Sequence, residues 1–310
     1  TSVSMDHATP ASFYAHQASR NSYYEISLDM TKSGFDYFGG GAFQDPDGKK
    51  SKNPVGNAYD AAKENGYTVV TGKEAFAALT KEAGKVFAYN ERLDRSKALP
   101  YSIDTKSEDI TLAEFTQKGI ELLDNPNGFF MMVEGGKIDW TCHAKDAATA
   151  VYDVVAFDNA VKKAYAFYEA HPDDTLIVVT GDHETGGLTI GFAGTQYASF
   201  FELLKGQKIS FDEFTEAVFK EYKQANVGKS VNFDDMIPLL KEHFGLEVSG
   251  EGDLVLKDYE LAELKEAFVQ SMSGVKVNAG TIDYLLYGSY DPFVVKITHI
   301  LNQKAGLGWT

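Results

Sequence analysis

The sequence has 310 residues, 44% of them hydrophobic, enough for one large α/β domain or for one domain carrying an insert. A formal net charge of −16 argues against a nucleic-acid partner, because an acidic surface repels the phosphate backbone. No apolar run approaches the roughly 18–20 residues that span a bilayer. Thr1 to Ser4 shows no signal-peptide pattern, and the single Cys142 excludes an intrachain disulfide.

Thr9-Pro10 predicts a helix start, with Thr9 as cap and Pro10 in the first turn, running through Tyr14 to about Arg20. Gly39-Gly40-Gly41 reads as a permissive loop, and Gln44 to Asn57 as a surface excursion rich in turn formers. Tyr67 to Val70 and Val86 to Tyr89 read as short strands. Phe129 to Val133 is a continuous apolar run, as expected of a buried parallel strand, and it ends in Glu134-Gly135-Gly136. A long amphipathic helix is expected from about Ala144 to Ala170, with Ala147, Val151, Val154, Val155, Val161 and Tyr165 as apolar positions. His171-Pro172 ends it. Thr175 to Thr180 reads as a second buried strand, followed by Gly181-Asp182-His183. This β-α-β unit has polar clusters after both strands, where open α/β sheets bind ligands. From about Thr195 the texture turns helical, with expected helices at Phe211–Tyr222, Phe233–Phe244 and Tyr259–Met272. Asp291-Pro292 then caps a last helix carrying Phe293, Val294, Ile297 and Leu301.

The chemistry-bearing residues lie in the centre. Glu134 is followed five positions on by Asp139, and four further by His143; Asp182 and His183 are adjacent. Hard carboxylate oxygens suit magnesium, and mixed Asp/His sets suit zinc. Neighbouring ions can hold both the attacking and the leaving oxygen of a phosphoryl group. Taken singly, Glu134 also reads as a loop carboxylate, Asp139 as a helix-start cap, His143 as a first-turn residue, and Asp182-His183 as a solvated turn. Together, two such clusters at the strand ends of one β-α-β unit fit a shared site better than coincidence.

Val133-Glu-Gly-Gly-Lys-Ile-Asp139 with His143, and Thr180-Gly-Asp182-His183-Glu-Thr-Gly-Gly-Leu-Thr, resemble segments of the alkaline phosphatase family. His7-Ala-Thr9-Pro-Ala11, Ala15-His16, Ser19-Arg20 and Asp36-Tyr-Phe-Gly-Gly-Gly41 extend the resemblance. It is dense from Thr1 to about Ile190, thin across the helical stretch and faint towards Thr310. It implies a three-layer αβα sandwich with a mostly parallel sheet: a core over 1–195, a helical insert over 196–290 and a return to the core over 291–310. It implies that Asp139 and His143 bind one zinc, Asp182 and His183 a second, and Thr9 with Glu134 a third ion, usually magnesium. Arg20 would grip phosphate oxygens through its guanidinium fork. Thr9 also reads as a plain cap, and Arg20 as a cation matched to a helix dipole. His7 and Trp140 stand where family members differ. His7 is a candidate third-site ligand and Trp140 a candidate wall of the phosphate pocket, with simple packing the competing reading of both.

The resemblance also implies hydrolysis of small phosphate monoesters through a phosphoserine intermediate, a homodimer, and a periplasmic or secreted location. No membrane or nucleic-acid partner is expected. The family carries its nucleophilic serine and a bridging Asp ahead of the stretch that matches His7-Ala-Thr9, and a further zinc-binding His after the stretch like Gly306 to Thr310. Neither Ser2 nor Ser4 matches the nucleophile, and His299, inside an expected helix, does not match the missing ligand. The expectation is therefore a chain with most of the metal ligands but without normal phosphatase turnover. Alternatives are a sulfatase, phosphodiesterase or phosphomutase of the same superfamily, or a non-catalytic metal-binding module.

Overall fold

The computed structural model describes residues 1–274 and 288–309. Its residues group into two units. The first comprises Thr1–Pro100, Thr105–Lys137 and Asp153–Thr180; the second comprises Tyr101–Asp104, Ile138–Tyr152 and the chain from Gly181 onward. Residues 275–287, within the expected insert, and Thr310 lie outside the described residues. Among the described residues, no helix is long and apolar enough to cross a membrane.

The first unit is built on a parallel sheet of β1 (Tyr37–Gly40), β2 (Tyr67–Thr71) and β3 (Lys85–Tyr89), in the order β1-β3-β2. Phe38 and Val69 both register with Phe87 of the central strand. Successive side chains of a strand point to opposite faces. Phe87 accordingly joins Met5, Met30, Phe38 and Ala62 in one cluster, while Val86 and Ala88 join Phe76, Ile110 and Phe115 in another. The first cluster draws on α2 (Tyr23–Lys32) and α3 (Ala58–Glu64). The second draws on α4 (Lys73–Ala77) and α5 (Leu112–Leu123). Helices therefore cover both faces of this α/β sheet, as parallel sheets require. The start of α5 is held by a capping box, Thr111 accepting from Glu114 N and Glu114 accepting from Thr111 N.

Three expectations for this unit need correction. The helix expected from Thr9 to Arg20 is only four residues long, α1 (Ala8–Ala11), and Thr9 lies inside it, with His7 at the cap position. The chain beyond it is held by the Tyr14 hydroxyl, which donates to Met5 O at 2.5 Å, and residues from Gln17 to Arg20 are exposed, so no apolar stripe sustains a longer helix. Gly39 and Gly40 belong to a strand rather than a loop. Their lack of Cβ admits close neighbours: a Cβ on Gly39 would meet Phe115 Cδ1 at 2.9 Å, and one on Gly40 would lie 1.9 Å from Thr1 O. Finally, neither 129–133 nor 175–179 forms a strand; Phe130 is 72% and Leu176 87% exposed, while Phe129, Met131, Met132 and Val133 are half-buried. An apolar run can supply the side chains of a buried strand, but the ladder needs a neighbouring backbone.

In the second unit the expected helices assemble around an aromatic core of Phe211, Phe214, Phe219, Phe233, Phe244, Phe268 and Phe293. The stretch from Phe211 begins as α-helix, widens to a π-helix over Phe214–Phe219 and returns to α-helix over Lys220–Ala225. Phe233–Met236 is a 3₁₀ turn leading into the helix Ile237–Phe244, and Asp258–Met272 is helical as expected. Asp291 caps Pro292–Lys304 by accepting from Phe293 N. A short antiparallel pair joins β4 (Leu188–Ile190) to β5 (Leu307–Trp309). Two further helices, α6 (Lys137–His143) and α7 (Ala147–Ala170), have residues in both units. The turn before α7 uses Lys145 at φ +55° and the buried Asp146, which accepts from Thr149 N at 3.0 Å. Val151, Val154, Val155 and Tyr165 of α7 are exposed, whereas Ala147 and Ala160 are buried.

Candidate metal centre

Asp139 and His143 are four residues apart on α6, so helical geometry alone puts them on one face. His143 Nε2 lies 3.4 Å from Asp139 Oδ1. His183 Nε2 lies 3.6 Å from Asp182 Oδ2. Both separations exceed a hydrogen bond; two donors roughly 2.0–2.1 Å from a tetrahedral zinc sit roughly 3.3–3.5 Å apart, so the first pair falls within that spacing and the second lies just outside it. The donor chemistry fits as well. His183 Nδ1 lies 3.0 Å from Glu184 O, and a proton donated there leaves the Nε2 lone pair for a metal. That carbonyl, together with the Asp182, Asp139 and Glu184 charges, raises the His183 pKa above its ordinary value.

The loop after Thr180 is seated on α6. Thr185 Oγ1 donates to Asp139 Oδ1 and sits 3.1 Å from His183 Nδ1, joining the two ligand pairs through one hydroxyl. Gly186, at φ +76°, permits this seat, because a Cβ there would lie 2.8 Å from Cys142 O. Cys142 is half-buried, and burial raises its thiol pKa, so it stays a thiol at neutral pH. Trp140 packs as a partly buried side chain against the aromatic core of this unit.

The remaining candidates lie in the first unit. Glu134 accepts from Thr1 Oγ1 at 2.5 Å, and its carbonyl accepts from Ser2 N at 3.1 Å. His7 precedes α1 and Thr9 lies within it, both half-buried. Arg20 is exposed, with Nη2 3.2 Å from His7 Nε2. Among the described residues, no three His, Cys, Asp or Glu side chains are gathered closely enough to hold an ion on their own. The candidate residues of the second unit stand as two pairs.

Three residues missed by the sequence reading support these candidates. Thr185 lies inside the matched Gly-Asp-His-Glu-Thr-Gly-Gly run and was open to notice there. Thr1 reaches Glu134 from 133 positions away, which no local signal announces. Lys137, between Glu134 and Asp139, is 1% exposed at its side chain and pairs with the nearly buried Asp94. Its backbone N–H donates to Ser2 Oγ at 3.1 Å. A buried lysine inside a ligand motif marks a chain segment pinned by charge.

A family model described as Alkaline phosphatase matches residues 1–236. Alkaline phosphatase 4 of Bacillus subtilis is 35% identical over 199 residues, covering 61% of this chain and 40% of the relative. The crystal structure of a cold-active alkaline phosphatase from a psychrophilic Shewanella matches at a TM-score of 0.71 and 29% identity, covering all of this chain and 64% of that one. A mutant of the alkaline phosphatase TAB5, described with Mg bound in its M3 site, is 32% identical over 61% of this chain and 52% of its own, with a TM-score of 0.52. This chain spans about half the length of the curated relatives it matches, 40% and 45% of the two from Bacillus subtilis.

Proposed function

Because this chain belongs to the alkaline phosphatase family, we propose that the whole protein hydrolyses small phosphate monoesters through a phosphoserine intermediate. The observation that carries the reading is the pair spacing in the second unit. Asp139 with His143 and Asp182 with His183 stand 3.4 and 3.6 Å apart, and Thr185 ties the two pairs together. Asp139 and His143 would hold one zinc, and Asp182 and His183 the second. Thr9 and Glu134, with His7 as a further candidate, would serve a magnesium. Bound divalent ions neutralise phosphoryl charge and make water a stronger acid.

The chain's own groups do the rest. Arg20 offers a planar fork to two phosphate oxygens. Thr185 orients the Asp139 carboxylate, and the Glu184 carbonyl sets the His183 tautomer. Trp140 forms a wall of the phosphate pocket. Neither serine of the opening stretch is poised as nucleophile: Ser4 Oγ accepts from Gln44 Nε2 at 2.9 Å and Ser2 Oγ accepts from Lys137 N, and both side chains are buried. The 310-residue polypeptide by itself is therefore expected to lack family-like turnover. The reading includes a periplasmic or secreted location and a homodimer for the whole protein.

Zinc titration by calorimetry tests the site independently of turnover. Asp139→Ala and His183→Ala should each weaken zinc binding at least tenfold, and Thr185→Val should weaken it about tenfold. Unchanged affinity in Asp139→Ala and His183→Ala would remove the pairs from the site. In parallel, p-nitrophenyl phosphate hydrolysis at an ordinary enzymatic rate, about 10 per second, by the 310-residue chain would contradict its expected inactivity.

A further inference from the structure

α6 ends in an arrangement that glycine usually supplies and that a lysine occupies here. Asp146 N donates to Thr141 O at 3.0 Å and Lys145 N to Cys142 O at 3.0 Å, the paired closing bonds that terminate a helix through a left-handed residue. Lys145 is that residue, at φ +55°, a region unfavourable for most side chains and open to glycine. The zinc-ligand candidate His143 lies inside the turn these bonds close, two residues before Lys145. A seven-residue helix has few bonds of its own, so its last turn depends on what holds this ending.

The hold comes from a residue 157 positions away. Asn302, 1% exposed in the helix Pro292–Lys304, donates from Nδ2 to Lys145 O at 2.8 Å. That carbonyl and the Asp146 N–H belong to one planar peptide unit and point to opposite sides of it. Fixing the carbonyl therefore aims the N–H at Thr141 O. The far side of the turn is anchored separately, the Asp146 carboxylate accepting from Gln207 Nε2 at 2.8 Å and from Phe211 N at 3.0 Å. Asn302 Oδ1 is buried without a hydrogen-bond partner among the described residues. A buried amide left half-satisfied is a poor source of stability. What it supplies is direction: a carbonyl only accepts, so the amide meets Lys145 O through its NH2 group.

We propose that Asn302 is a positioning residue for the zinc pair Asp139 and His143, holding the Lys145–Asp146 peptide so that the last turn of α6 closes with His143 one helical turn from Asp139. The inference rests on the reading of that pair as zinc ligands. It gives Asn302 no contact with metal or substrate. Its effect on the metal is through preorganisation: a site whose donors are already held in place binds more tightly, because no ordering has to be subtracted from the binding.

The test combines amide hydrogen exchange and zinc calorimetry on the 310-residue chain. In Asn302→Leu, exchange of the metal-free Asp146 amide should quicken at least tenfold, and the zinc binding that Asp139→Ala removes should weaken about tenfold. Adding Lys145→Gly should restore the affinity, because glycine adopts positive φ without being held there. A role in packing alone would shift the urea midpoint and leave zinc affinity at the parent value, and that result would overturn the proposal. So would an unchanged Asp146 exchange rate, or a loss that Lys145→Gly does not restore. If Asn302→Leu does not fold, Lys145→Val asks the same question from the turn itself, since a β-branched residue resists positive φ. Zinc binding about tenfold weaker is then expected, and parent affinity would overturn the proposal. Zinc binding unaffected by Asp139→Ala would instead sink the zinc reading itself, and this inference with it.

Discussion

The aromatic core of the second unit and the apolar runs of the first make an instructive pair. Both read as core in the sequence, yet Phe214, Phe268 and Phe293 are buried while Phe130, Leu176 and Val178 are exposed. A helix satisfies its backbone internally and needs only another apolar face to cover it. A strand remains incomplete until another backbone pairs with it, whatever its side chains. Burial therefore followed apolarity in the helices around that aromatic core and in the paired strand β3, and failed at these two runs, which pair with no strand among the described residues, and along part of α7.

Substitution measures that contrast directly. Phe268→Ala should lower the stability of the second unit by about 4 kcal/mol, because it empties a fully packed aromatic site. Leu176→Ala, the same kind of truncation at an exposed site, should stay within about 0.5 kcal/mol. Urea unfolding followed by tryptophan fluorescence and circular dichroism checks both. Comparable losses at the two positions would break the comparison.

The next effect concerns a charged core contact. Lys137→Met removes the partner of Asp94, whose side chain is only 8% exposed, and should cost about 3 kcal/mol. Asp94 also accepts from Ser96 N and Ala98 N at 2.8 and 2.9 Å, so the double variant Lys137→Met with Asp94→Asn should recover part of the loss. A fully additive pair of losses would show that the two side chains do not depend on each other.

The smallest of these effects is a pH dependence in the second unit. Burial, assisted by the Lys145 and Lys296 charges, pushes His299 down to about 4. The folded state keeps the ring neutral, while the unfolded chain takes up a proton near 6.5. The stability is therefore fully present above pH 6.5 and is lost as pH falls towards 4, roughly 2 kcal/mol of it by pH 5. Thermal unfolding of the parent and His299→Gln between pH 7 and 4 isolates this part, and the variant should show the shallower fall. Buried Asp104, raised to about 6 by burial, acts the other way, gaining as pH falls through 6, and is common to both proteins.

Much of the fold could be read locally. β2, β3, the helix Asp258–Met272 and the Asp291 cap stand where propensity and turn chemistry placed them. β1 was hidden because glycine reads as loop, and its strand character comes from Phe115 and Thr1, distant in sequence, which leave no space for a Cβ on Gly39 or Gly40. The Thr9 helix was overextended because its cap-like Thr9-Pro10 start carried more weight than the polar residues that follow. Family resemblance, through Glu134 to His143 and Thr180 to Thr189, reached further than any single propensity.

The sequence by itself determined the i, i+4 placement of Asp139 and His143, because a helix turns by the same angle wherever it lies. It also determined the adjacency of Asp182 and His183 and, through its motifs, the family. Tertiary contacts alone decided that Thr185 joins Asp139 to His183, that Lys137 is pinned by Asp94, and that Thr1 reaches both Gly39 and Glu134. Those are contacts between segments far apart in the chain. Their partners are set by which backbones and side chains meet in space, a quantity that no local pattern encodes.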